Sequence, residues 1–136
     1  MEEQKKQDVA SHSLESEFVT YEQALALNEL GFRGKCFRYW VGEIHEKSIV
    51  FALDSEKLND DELLAPLKQQ VFRWFRDNHN IIGIIEGGYT DGKNVFSHVI
   101  WRESDDDWTD DIYDTYEEAE NACIDKLLEL AKQHDI

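Results

Sequence analysis

Apolar positions along this chain of 136 residues repeat with two periods, and the switches between them mark out its elements. Residues 1–16 hold neither period and are expected to form a disordered, flexible tail ahead of one domain over 17–136. A helical pattern starts in TYEQA (20–24) and runs to about residue 30, where Gly31 suits a left-handed cap. The same opening returns as TYEEA (115–119), and ENACIDKLLELAKQH continues it. Tyr116, Ala119, Cys123, Leu127 and Leu130 then fall along one helical face. Thr20 with Gln23, and Thr115 with Glu118, have the spacing of a capping box, in which a threonine oxygen takes a first-turn amide and the longer side chain reaches back. The repeat therefore reads as two helix starts, not two sites.

Between them, LLAPLKQQVFRWFRDNH (63–79) predicts another helix. Leu64, Leu67, Val71, Phe75 and Asn78 line its face, Trp74 stands beside them, Asp60 or Asp61 is available as cap, and Pro66 belongs near the first turn. Four short apolar runs read as strands: CFRYWV (36–41), SIVFAL (48–53), IIGIIE (81–86) and NVFSHVIW (94–101). GEIHEK joins the first pair, and GYTDGK, with its Asp91-Gly92 turn signal, joins the second through a loop longer than two residues. The order α-β-β-α-β-β-α predicts an α+β fold, an antiparallel sheet of about four strands with three helices.

Charge changes this picture most. Thirty acidic residues against 14 Lys and Arg give a net charge of −16. Phosphate backbones repel such a chain, so direct nucleic-acid binding is not expected. The acidity is uneven. Residues 103–120 hold ten acids and no base, whereas 71–102 carry Arg73, Arg76, Lys93 and Arg102 against Asp77, Glu86 and Asp91. No apolar run reaches the roughly 20 residues of a membrane span, and the N-terminal stretch lacks the apolar core of a secretory signal. Cys36 and Cys123 fit no paired motif and are read as free thiols of a cytoplasmic protein.

Candidate chemistry is sparse. In ESDDDWTDD (103–111), Asp105, Asp107 and Thr109 match the first alternating positions of a calcium loop. The match then fails, with Asp110 where glycine is needed and Tyr116 where glutamate is needed, so a solvated acidic loop is the expectation and no metal is assigned. His12, His45, His79, His98 and His134 show no ligand spacing, and His98, inside a strand, is expected as a hydrogen-bonded sheet histidine. The glycines form no phosphate loop, and no serine has a nucleophile setting, so no catalytic residue and no cofactor are assigned. Trp40, Trp74 and Trp101 are expected in the core. Trp108, among aspartates, is either a lid folded on the core or an exposed anchor, and Phe72 lies off the main face of its helix.

Three pieces, EFVTYEQALALNELGF (17–32), LLAPLKQQVFRWFRDNHNI (63–81) and YDTYEEAENACIDKLLELA (113–131), resemble a family of small uncharacterised proteins encoded by Bacteroidetes phages and prophages. The resemblance covers about half the chain and omits the N-terminal tail and the acidic insert at 103–111. It implies a small α+β domain of phage origin and brings no catalytic residues. The expectation is a non-enzymatic interaction protein whose acidic surface, with Asp105, Asp106, Asp107, Trp108, Asp110 and Asp111, engages a basic protein, with no membrane partner. Two alternatives stand beside it. One is a nucleic-acid mimic that inhibits a host defence protein; the other is a small enzyme built on His98 or His45 beside a carboxylate.

Overall fold

The computed structural model describes residues 14–34, 36, 38–42, 47–51, 62–103, 106–108 and 111–134, with backbone alone for Gly42, 47–51, 106–108 and His134. The described residues begin with a 3-10 turn at Leu14–Glu17 and then form α1 (Tyr21–Glu29), β1 (Arg38–Gly42), β2 (Lys47–Phe51) and β3 (Glu62–Ala65). After these come α2 (Lys68–His79), β4 (Ile81–Thr90), β5 (Lys93–Arg102), β6 (Asp106–Trp108) and α3 (Tyr116–His134). The α+β class and its three helices follow the apolar pattern. The strands differ: they divide into two antiparallel sheets, ordered β2-β1-β3 and β4-β5-β6.

The division has a local cause. Leu63 and Ala65 are buried while Glu62 and Leu64 are half-buried, an alternation that belongs to a strand. Pro66 restricts Ala65 to extended backbone, so the helix expected from about residue 63 cannot include it; Leu67, itself extended, is the N-cap of a helix that begins at Lys68. Leu64 and Leu67 therefore lie outside it, and Asp60 and Asp61 are outside the described residues. Residues 62–65 pair antiparallel with β1 instead. Short strand β6 pairs with β5 on the other sheet.

Each helix is closed by the chemistry its sequence offers. In α1, Gly31 (φ 93°) donates to the Asn28 carbonyl and Phe32 donates to that of Leu27, the paired bonds of a left-handed cap. Helix α2 has no capping side chain. Gln70 Oε1 accepts from the Leu67 amide at 2.8 Å, and Asn80, left-handed at φ 57°, ends the helix. The hairpin between β4 and β5 turns on Asp91 (φ 51°) and Gly92 (φ 80°) alone. It is a two-residue turn, not the longer loop expected, because the strands run on to Thr90 and Lys93.

One core joins these parts. Ala24 and Leu27 of α1, Val71 and Phe75 of α2, and Cys123, Ile124 and Leu127 of α3 are buried together with Ile81 and Ile100. Helices α2 and α3 cover the inner face of the second sheet at Gly83. A Cβ there would stand 2.9 Å from Cys123 Sγ and 3.0 Å from the Phe72 ring, so glycine sets how closely these helices approach. Phe72 thus contacts a neighbouring element. Trp40 donates its indole N–H to the Val19 carbonyl at 3.0 Å, and Trp74 packs edge-on to Phe32 and Phe75. Trp101 departs from the core expectation. It lies across from Ile82 on the sheet face away from the helices and is 41 % exposed. Among the described residues no helix is long and apolar enough to cross a membrane.

Candidate functional site

The acidic stretch follows one edge of β5. Its middle is strand, not the expected loop: Asp106 lies opposite Trp101, Asp107 opposite Ile100 and Trp108 opposite Val99. The free edge of β5 supplies the hydrogen-bonding partners that a solvated loop would have taken from water. Asp105 and Asp110 are outside the described residues, as is the Trp108 side chain. Beyond them the chain returns to the same edge. Tyr113 and Phe96 exchange two backbone bonds of 2.9 and 2.7 Å, and Lys93 pairs with Asp114 at 3.1 Å near the hairpin end. Thr115 then caps α3, whose first turn carries Glu117 and Glu118.

This edge combines charge with apolar surface. Glu103, Asp111, Asp114 and Glu118 are exposed along it. Among them Ile112 is 61 % and Tyr116 39 % exposed, and Tyr89 stands clear at the hairpin tip. Isolated apolar side chains are ordinary on a surface; these stand among carboxylates, of which Asp114 is paired with Lys93.

Behind the edge lies His98, buried and stacked on Tyr113 with ring centroids 6.3 Å apart. Burial lowers its pKa, opposed by Asp111 and assisted by Lys126, so the ring is neutral at pH 7. Its Nδ1 has no hydrogen-bond partner among the described residues, contrary to the expectation of a bonded sheet histidine. Nor does it stand beside an activated nucleophile among the described residues. The Cys123 thiol is pushed up to about 12 by burial and by Glu120, and remains protonated. His45 and His12 are outside the described residues. His79 packs on Trp74 and Phe75, and His134 is described in backbone alone, at the end of α3. Among the described residues no three His, Cys, Asp or Glu side chains come together closely enough to hold a metal.

A second place carries polar groups that the sequence reading missed. A hollow of about 470 Å³ opens between Glu15, Phe18, Tyr21, Trp40, Lys68 and Asn121. Lys68 and, nearby, Glu120 are both buried. Burial raises the Glu120 pKa, while the charge of Lys68 and a 3.1 Å bond from Gln69 Nε2 pull it back. The signal was spacing: Lys68 precedes Val71 and Phe75 at helical intervals, and Glu120 precedes Cys123 and Ile124. The Gln69–Glu120 bond ties α2 to α3, and the thiol near Glu120, that of Cys123, is held protonated by burial. Comparison of the chain with protein-family models, curated proteins and solved structures finds no match, so function must be argued from this geometry.

Proposed function

We propose that the chain is a non-enzymatic interaction protein that binds a basic protein through the edge formed by β6 and the start of α3. The observation that carries this is the exposure of Ile112 and Tyr116 among Asp111, Asp114 and Glu118. The carboxylates steer a basic surface toward the edge, and the two apolar side chains supply contact area once it arrives. Of the six residues assigned from sequence, Asp106, Asp107 and Trp108 form its strand and Asp111 leads out of it toward α3, while Asp105 and Asp110 are outside the described residues. A phage or prophage origin, as the resemblance implies, would make the partner a bacterial cytoplasmic protein. Two free and buried thiols are compatible with that reducing compartment.

The test is affinity capture followed by crosslinking mass spectrometry in a bacterial host, with Asp111→Asn/Asp114→Asn and Ile112→Ser variants alongside. A basic protein should be held by the native chain, be released as salt shortens the Debye length below about 8 Å, and be lost by both variants. Capture that survives both variants, or none at low salt, refutes the proposal.

A further inference from the structure

The strand β4 is ten residues long, lies at the edge of its sheet, and pairs among the described residues only with β5. Natural edge strands are blunted by charge, proline or brevity, since their unpaired amides and carbonyls invite another strand. Residues 81–85 of β4 carry none of these protections. They read Ile-Ile-Gly-Ile-Ile, the same in both directions about Gly83. On the outer sheet face Ile82 is 43 % and Ile84 40 % exposed, beside Trp101 at 41 %.

We infer that β4 pairs antiparallel with β4 of a second copy of this chain, with the twofold axis at Gly83. Only a palindrome satisfies such an isologous contact with like residues throughout. This register sets Ile82 against Ile84 of the second copy, Ile81 against its Ile85, and Gly83 against its Gly83. The two sheets become one of six strands, β6-β5-β4-β4-β5-β6. Across its outer face the exposed Trp101 and Ile82, then Ile84 of the second copy, form an apolar row that continues to the buried Val99, and the twofold axis generates its mate. The pairing ends where Glu86 meets Asn80 of the second copy, since Asn80 is the left-handed residue that closes α2.

Charge selects this face for self-contact. Two chains of −16 repel over most of their surfaces, but residues 71–102 balance Asp77, Glu86 and Asp91 with Arg73, Arg76, Lys93 and Arg102. Approach along β4 is therefore the route of least repulsion. Added salt screens the remaining repulsion and should tighten the dimer, opposite in sign to its effect on a basic partner at the acidic edge.

Sedimentation velocity over a concentration series at low and high salt tests the inference on the full chain. The expected result is a monomer–dimer equilibrium that shifts toward dimer with salt. Ile84→Lys, a surface change whose folding is checked by circular dichroism, should weaken it at least about tenfold. Register is tested by mixing chains carrying Ile82→Cys with chains carrying Ile84→Cys under mild oxidation. Opposed positions lie roughly 5 Å apart, within disulfide reach, so the mixed pair should crosslink. Either variant alone places its thiols on the order of 8 Å apart and should not. A chain that stays monomeric throughout, a dimer indifferent to Ile84→Lys, or crosslinks within a single variant overturns the inference.

Discussion

The pentads TYEQA and TYEEA begin α1 and α3 and do the same three things. Thr20 and Thr115 each accept a first-turn amide at 3.1 Å. Tyr21 and Tyr116 each meet an aromatic ring of the nearest sheet edge-on, Trp40 at 6.2 Å and Phe96 at 6.0 Å. Ala24 and Ala119 are both buried. They part at the fourth letter. Gln23 Oε1 accepts from the Thr20 amide, and its Nε2 donates to Asn121 and Asp125 of α3. Glu118 has only acceptors, takes the Thr115 hydroxyl, and is exposed. An amide both accepts and donates, so Gln23 caps its helix and also fastens it to another; a carboxylate can only cap.

Exchanging the fourth letters tests that contrast most severely. Gln23→Glu removes the donor to Asn121 and sets a buried carboxylate against Asp125, and should cost roughly 2–4 kcal/mol in urea denaturation. A loss under about 0.5 kcal/mol would show that the α1–α3 bridge is unimportant. Next come the caps. Thr20→Ala and Thr115→Ala should each lose about 1 kcal/mol and leave partner binding unchanged once the folded fraction is corrected for. Binding lost at full stability would mean that the repeat is a recognition motif.

A smaller effect separates the two regions by pH. His98 sits near the α3 pentad, stacked on Tyr113 two residues before it. Its folded pKa lies below the ordinary 6.5, so the unfolded chain takes up a proton first as pH falls. Stability should be full above 6.5, decline below it, and level off once His98 itself protonates. His98→Phe should flatten that decline in denaturation curves taken across the same range. The smallest change is expected for Glu118→Gln: within about 0.5 kcal/mol, because the site is exposed and the new amide has nothing to fasten.

The helix starts at Thr20 and Thr115, the stop at Gly31 and the turn at Asp91-Gly92 were legible because each is fixed by residues within a few positions. The start of α2 was not. Leu64 and Leu67 satisfy a helical period; Pro66 bars helix at Ala65, but the edge of β1 that gives 62–65 a ladder is announced by no local pattern. The same holds for Asp106–Trp108, whose composition says loop and whose neighbour β5 makes strand. Acidity marked a segment whose described carboxylates include the exposed Glu103 and Asp111. The exposure of Ile112 and Tyr116 beside it follows from the pairing of Tyr113 with Phe96, which the sequence does not announce. Lys68 and Glu120 lay on apolar stripes and were passed over as charged.

Both cysteines are buried, and burial pushes each thiol up to about 12. A thiol in that state reacts with alkylating reagents only when the structure around it opens, so its modification rate counts openings. The two sit in different places: Cys36 just ahead of β1, and Cys123 in the middle of α3 against Gly83. The native chain thus contains two chemical clocks that need no introduced label. If they run at one rate, the regions around β1 and α3 come apart as a unit. If Cys36 runs faster, the first sheet loosens while the helices stay closed on the second.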